Sequence, residues 1–548
     1  MTVRDHTAAH GETLLKADVV IVGTGPGGAA VGRALAQAGA SVVYLEEGLA
    51  HPNFRPNMAH TNRWHMQEGG TMIARSSEAL MPIAAGRGVG GGSLVNSAIC
   101  FRTPDHVLES WTEPLGGDDR YSPDRIRPVF DEIEARIEVG RTPDEVAGEN
   151  NRIIVRGAAS RGHAGGLIRR NTPRCRGCGL CNQGCPVQGK NSMDLTLIPD
   201  AMALGAIVQA DTRVNEILVE GDRAVGVAGD VIEPVSREVV GRLRVDAGKV
   251  FVCAGGIGTP RLLHHAGLAA RLGPAVGQGL HVHPGNAVLG ICDHLVKMWT
   301  GATQGAFFES DALPGVLPHT LSAPPEALLL LLGKVGAEAK ASLDTLPHLC
   351  GCVVMISDKG GGTVGATSSG RAAISYTFDP HDVERIKEGM VETARVLLAG
   401  GARRVLAPVH GVGVHDDADS FAAALAPRVI TDFALYASHP MASCRMGADP
   451  RTSVIGPDAQ AHALRGLYLA DSSIFPTSLG VNPQLTTMTL ATAIGRAVAA
   501  ASRAPVAPWA SRRSSQTSGG VTVHARSATA PRIAASSAGA PWRRSRAR

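Results

Sequence analysis

The feature that most constrains this chain is the turn GTGPGG at 23–28, set between two short apolar runs. ADVVIV (17–22) has the β-branched, uninterrupted apolar pattern of a buried parallel strand. A small-residue stretch of helical character follows to Gly39, and SVVYLE (41–46) supplies a second strand. A strand–helix–strand unit of about 30 residues around Gly23-x-Gly25-x-x-Gly28 is the fingerprint of a dinucleotide site. Gly23 allows the tight turn, Gly25 lets backbone approach a pyrophosphate, and Gly28 lets the helix pack on the strand. Glu46, 23 residues after Gly23, stands where an acid receives ribose hydroxyls. A glycine turn can also serve packing alone. The two flanking strands and the well-placed acid favour the nucleotide, without separating FAD from NAD.

Two further segments favour FAD. GRGVGGGSLVN (86–96) is a second loop of minimal side chains, suited to a long cofactor lying against backbone. GLYLAD (466–471) places Asp471 at the end of a late strand, in reach of a ribityl or phosphate group. One nucleotide contacted from both ends of a 548-residue chain fits extended FAD better than a separate NAD domain. Glycine, 66 residues in all, is in excess without a collagen-like period, which agrees with backbone packed closely on a ligand.

Six ordered blocks carry a resemblance: ADVVIVGTGPGGAAVGRAL, GRGVGGGSLVN, CAGGIGTPRLLHHAGL, VGQGLHVHPGN, SHPMASCRMG and GLYLADSSIFPTSLGVNPQLTTMTLA. Over 17–500 the chain resembles the glucose–methanol–choline (GMC) flavoprotein oxidoreductases. Cys100, Gly256 and Ala266 depart mildly from the family's two signatures. The resemblance implies an α/β chain: a Rossmann-type FAD-binding domain with a second α+β substrate domain built on an antiparallel sheet. The expected division is 15–290 for the first part of the FAD domain, 291–429 for the substrate domain, 430–502 for the rest of the FAD domain, and 503–548 for a tail. Besides Gly23, Gly25, Gly28, Glu46 and Asp471, the expected cofactor contacts are Arg87, Gly90, Gly91, Asn96, Val214, Asn482 and Pro483.

His439 in SHPMASCRMG matches the family's active-site histidine, and Asn482 in GVNPQLTT the partner position, which in the family is His or Asn. Alcohol oxidation removes a hydride from carbon and a proton from oxygen. A histidine titrating near neutrality suits the general base, and an asparagine can hold the substrate oxygen without competing for the proton. Family members that attach FAD covalently often use a His just before the Asn of the first signature. Val95 stands there, so the FAD is expected to be non-covalent.

Cys175, Cys178, Cys181 and Cys185-Pro186 repeat the C-x2-C-x2-C-x3-C-P spacing of bacterial iron–sulfur proteins. Most GMC proteins lack it, although some dehydrogenase members hold a cluster in a Cys-rich loop in this region. The open alternatives are an iron–sulfur cluster on three or four of these thiols, a zinc ion, and an unmetallated loop. A cluster would suit a dehydrogenase that feeds a quinone or cytochrome. The competing activity is an oxygen-using long-chain or bulky alcohol oxidase. The apolar run HTLSAPPEALLLLLGKVG (319–336) points to a bulky or aliphatic donor.

Charge and composition limit the remaining classes. The net charge of +4 includes nine Arg, and no acid, in 503–548, so the rest of the chain carries −5. The Arg-rich tail has no apolar period and is expected to be disordered. Binding of nucleic acid or an anionic surface through it is the alternative of another class. Aromatics at 4% argue against that alternative. An NAD(P)H-dependent flavin or disulfide reductase would need a second nucleotide fingerprint, and the chain has none. No apolar run approaches the roughly 18 residues of a membrane helix. MTVRDHTAAHGETLLK (1–16) has no signal-like apolar stretch, which predicts a cytoplasmic chain, with a location peripheral to a membrane as the open alternative.

Overall fold

The computed structural model describes residues 3–9, 11–76, 79–333, 335–503 and 523–525. The apolar run at 17–22 lies within a longer strand, Gly11–Val22, whose last four residues are fully enclosed. It is central in an eight-stranded sheet ordered Ile207–Gln209, Val42–Leu45, Gly11–Val22, Val239–Val252, Arg223–Ile232 and Thr212–Glu220. Leu467–Leu469 adds in parallel beside Val239–Val252, in register with Val250 to Val252. The chain therefore returns to the first sheet near its end, which brings the Asp471 turn beside the Gly23 turn. The parallel strands are β-branched and buried on both faces, as helices on either side require.

Helix Pro26–Gln37 starts directly at the glycine turn, with Pro26 in its first position, where a missing N–H costs nothing. It packs against the closing helix Gln484–Arg503 through small residues. A Cβ on Gly495 would fall 2.9 Å from the Val31 carbonyl oxygen and from the Ala34 Cβ, so the two axes approach closely.

A second hydrophobic core lies around two smaller sheets. The six-stranded sheet is antiparallel throughout: Arg404–Leu406, Gly285–Ile291, Leu349–Ile356, Val316–Thr320, Ala306–Glu309 and Ala164–Leu167. Helix Pro380–Ala399 covers it, capped at its N-terminus by Asp379. The five-stranded sheet runs Gln278–Leu280, Gly361–Ala366, Ala372–Thr377, Ile73–Arg75 and Leu80–Pro82. The α/β class with an antiparallel second sheet is as the sequence predicts. Both smaller sheets also draw strands from earlier in the chain, at 73–82 and 164–167. The segment 51–81, without legible period, contains helix Met58–His65 and the two strands Ile73–Arg75 and Leu80–Pro82. The helical reading of 124–160 resolves into Pro123–Arg136, Asp144–Ala147 and Glu149–Ser160.

The expectation of a disordered tail needs one correction. Val523–Ala525 forms a short strand antiparallel to Thr13–Leu15, because the outer half of Gly11–Val22 leaves one edge unpaired. The rest of the tail lies outside the described residues. Among the described residues no helix is long and apolar enough to cross a membrane.

Candidate active site

The glycine turn is built as the fingerprint requires. Gly23 has φ +99°, and a Cβ there would lie 2.4 Å from the Cys253 carbonyl oxygen. A Cβ on Gly28 would lie 2.1 Å from the Gly23 oxygen, so helix and strand touch. At Gly25 a Cβ would meet nothing closer than the Gly91 Cα at 3.8 Å, so the space beside that turn is open. Gly90 and Gly91 adopt left-handed backbone, which folds the second glycine loop down onto Gly25.

Glu46 fastens these loops. Its Oε2 accepts from the Thr24 N–H and hydroxyl, at 3.1 and 2.8 Å. Its Oε1 accepts from the N–H of Gly48 and of Gly88, at 3.0 and 3.1 Å. These four donors fill a carboxylate's capacity, so ribose hydroxyls reaching Glu46 have to displace one of them. Burial raises the Glu46 pKa against those hydrogen bonds. The Thr212 N–H donates to the Glu46 carbonyl, and Val214, buried in the main core, sits two residues further along that strand.

Asp471 does the same at the other end. Its Oδ2 accepts from the Gly255 N–H and the Thr259 hydroxyl, and its Oδ1 from the Ser473 N–H. Asn96 gives its amide N–H to Gln484 at 2.7 Å, tying the second glycine loop to the first turn of the last helix, just after Pro483. Buried polar atoms here lack a partner, among them Arg87 Nε, Ser473 Oγ and Asn482 Oδ1. An open glycine turn, a second glycine loop across from it and unpaired buried donor and acceptor atoms fit a flavin dinucleotide.

His439 and Asn482 meet. The Asn482 amide nitrogen lies 3.0 Å from His439 Nε2. His439 rides on a segment joined to the Asp471 turn through the Ser472 hydroxyl, which donates to the Pro440 carbonyl. A third residue, not foreseen as functional, completes the group: His283 places its Nδ1 3.3 Å from the His439 Nδ1. The Gly480 N–H donates to His283 Nε2 at 3.0 Å. His439 keeps Nε2 toward Asn482.

Buried Asp358 braces the group. It accepts from the backbone N–H of Val282, the Tyr376 hydroxyl and the Ser478 hydroxyl. Burial alone would raise its pKa, but His281, His283 and Tyr376 hold it well below the ordinary carboxylate range. Burial pushes His283 down to about 4 and His319 down to about 4. Burial, then His283 and His319, lower His439 well below its ordinary value, so it is neutral at neutral pH. His283 sat within VGQGLHVHPGN, and its place in that block was its one sequence signal.

Cys175, Cys178, Cys181 and Cys185 line one small cavity, with Lys190, Arg176 and Thr303 in its wall. Cys181 and Cys185 are buried, the other two partly so. Among the described residues no three His, Cys, Asp or Glu side chains converge as a single bound metal ion requires. Neither the zinc nor the iron–sulfur alternative thus has a preformed site among the described residues.

Comparison with known proteins agrees with this geometry. Family models described as GMC oxidoreductase match residues 64–285 and 361–491. An uncharacterised GMC-type oxidoreductase of Mycobacterium tuberculosis is 32% identical over 495 residues, covering 89% of this chain and 76% of its own length. A long-chain-alcohol oxidase of Arabidopsis thaliana is 26% identical, with 89% of this chain and 69% of that protein covered. A formate oxidase from Aspergillus oryzae, solved to follow modification of its FAD, shares the fold at a TM-score of 0.65 and 15% identity, over 89% of this chain and 98% of that one. With both halves of the family pattern matched and a relative above 30% identity aligned along most of its length, the chain is an oxidoreductase that belongs to the GMC family.

Proposed function

We propose that this oxidoreductase binds FAD non-covalently and oxidises the CH–OH group of an alcohol, with His439 receiving the hydroxyl proton and Asn482 holding the substrate oxygen. The observation that carries the reading is the 3.0 Å pairing of His439 Nε2 with the Asn482 amide, next to a buried Asn482 oxygen without a partner. A hydroxyl brought up beside this pair would find both a ring nitrogen and an amide able to accept or donate. Because burial and two neighbouring histidines disfavour the imidazolium, His439 is held as the neutral imidazole, which has one unprotonated nitrogen able to receive a proton. Bound FAD supplies the hydride acceptor, and the protein supplies position and electrostatics. Gly23, Gly25, Gly28, Gly90 and Gly91 would receive the pyrophosphate through backbone. Arg87 and Pro483 would flank the cofactor, and Glu46, Asn96 and Asp471 would hold the loops around it in place. Val95, where a linking histidine would stand, supports a dissociable cofactor.

The acceptor that we propose is a quinone or cytochrome, with oxygen a slow substitute. A second reading, an oxygen-using long-chain alcohol oxidase, draws on the similarity to the Arabidopsis protein. Anaerobic mixing with a panel of short, long-chain and aromatic alcohols tests the donor, by loss of flavin absorbance. Reoxidation by oxygen, quinone or cytochrome then separates the two readings. A flavin that no alcohol in the panel bleaches contradicts both.

A further inference from the structure

Strand Val42–Leu45 is followed by two acids, and the nucleotide reading uses the first of them. Glu46 has both oxygens filled by four donors. Glu47, the next residue, meets arginines drawn from four parts of the chain. Its Oε2 lies 3.5 Å from Arg213 Nε and 4.0 Å from Arg261 Nη2. Arg213 stands on strand Thr212–Glu220, directly after the Thr212 N–H that donates to the Glu46 carbonyl. Arg261 comes from helix Gly255–His265 and gives its Nη1 to the Gly370 carbonyl at 3.0 Å. Arg87 comes from the second glycine loop, and a Cβ on Gly48 would lie 2.8 Å from its Cγ. Arg237 comes from the turn between strands Arg223–Ile232 and Val239–Val252. Burial would raise the Glu47 carboxyl, but Arg261, Arg87, Arg213 and Arg237 hold it below its ordinary range.

Four guanidiniums thus gather about one carboxylate. Arg87 is 8% exposed, and its buried Nε has no partner. Among the described residues no carboxylate lies within ion-pair distance of Arg87 or Arg237. Asp211 is close enough to act on Arg237, but it faces His6, taking the His6 N–H at 3.3 Å and lying 3.0 Å from the ring Nδ1. Like charges in a partly buried site repel unless an anion enters it. A guanidinium presents a planar fork that matches the oxygens of a phosphate. The place is specific as well. The arginines rim the end of the second strand, where a dinucleotide's adenosine ribose lies. In such folds an acid receives a ribose hydroxyl, and an arginine beside it accommodates a phosphate carried on that ribose. Here the acid is already filled, and guanidiniums are left over.

We propose that Arg87, Arg213, Arg237 and Arg261 form a subsite for a phosphomonoester beside the adenosine ribose. Such a group is nearly doubly charged at neutral pH. FAD carries its phosphates in the pyrophosphate and none on the ribose, so bound FAD leaves this subsite unfilled. Two sources supply the same chemistry. An adenine nucleotide phosphorylated on its ribose would occupy the ribose and phosphate positions together and compete with FAD. Inorganic phosphate would enter beside bound FAD. Glu47 limits the strength of the subsite, because it neutralises one of the four charges. The location rests on the dinucleotide reading of the glycine turn; the affinity for phosphate rests on the arginines alone.

The test uses the full chain as purified with its flavin, at fixed ionic strength. Adenosine 2′,5′-bisphosphate and adenosine 5′-diphosphate are isomers that differ in where the second phosphate sits. Each is titrated against the flavin fluorescence released on displacement. The 2′,5′ isomer should displace FAD at a concentration at least about tenfold lower than the other. Calorimetry of the FAD-loaded chain with inorganic phosphate identifies the free ion as occupant if it binds there. Replacing two exposed arginines together, Arg213→Gln with Arg237→Gln, should bring the isomers level and abolish phosphate uptake. Glu47→Gln should widen the gap between the isomers, which a general loss of structure would not do. No preference between the isomers together with no uptake of phosphate overturns the subsite and leaves the FAD reading standing. A chain purified without flavin is titrated calorimetrically with FAD and the same three ligands, and binding of none of them overturns both.

Discussion

At the scale of the residue, the chemistry rests on His439. Replacing it with alanine should lower the rate of flavin reduction by alcohol about 10²- to 10⁴-fold, the usual contribution of a general base. Asn482→Ala should cost less, because it orients the substrate and takes no proton. Flavin content, read from absorbance after gel filtration, should be retained in both. Since burial, His283 and His319 depress the His439 pKa, the neutral ring persists to well below pH 6.5. The reduction rate should hold level down through that pH and fall as the medium becomes more acidic. A rate that already declines between pH 8 and 7 contradicts the assignment. His319 allows the matching stability test. Its folded pKa, about 4, lies below the unfolded value, so it costs nothing above about pH 6.5 and erodes stability as pH falls toward 4. In His319→Gln the slope of unfolding free energy between pH 6.5 and 4.5 should flatten by about 1.4 kcal/mol per pH unit. An unchanged slope shows that the ring is not held neutral.

At the scale of the element, the strand–turn–helix unit was legible because each of its parts has a local cause. β-branched runs make buried parallel strands, and a turn at φ +99° needs glycine. Gly23→Ala should therefore abolish flavin retention, since its methyl must displace the Cys253 carbonyl. Elution of normal, flavin-loaded protein would sink the turn's assigned role. The strands at 73–75 and 80–82 were not legible. They are three residues each; they pair with one another, and the first joins the sheet through Ile374 and Ser375, far along the chain, so no local period records them. The same holds for the His283–His439 contact, which spans 156 residues, and for Asp358, whose bracing role appears once Tyr376 and Ser478 close around it.

At the scale of the whole molecule, the late return of the chain to the first sheet joins the Gly23 turn, the second glycine loop, His439 and Asn482 into one site. The blocks lie at both ends of the sequence because Gly11–Val22 and Leu467–Leu469 both run parallel beside Val239–Val252 and end at the same level of the sheet. Acid precipitation should leave the yellow colour in the supernatant, since Val95 offers no covalent link; a yellow pellet contradicts this. Removing 504–548 takes away the three-residue pairing to Thr13–Leu15 and should leave flavin content and turnover within about twofold of the full chain. The central claim, that one buried His–Asn pair beside a bound flavin oxidises an alcohol, is tested most directly by anaerobic stopped-flow reduction with an alcohol panel, comparing the wild-type chain and His439→Ala. The account predicts that at least one alcohol bleaches the wild-type flavin and that the variant, equally loaded, reduces at least about 100-fold more slowly. Equal rates in the two proteins, or no bleaching by any alcohol, would contradict it.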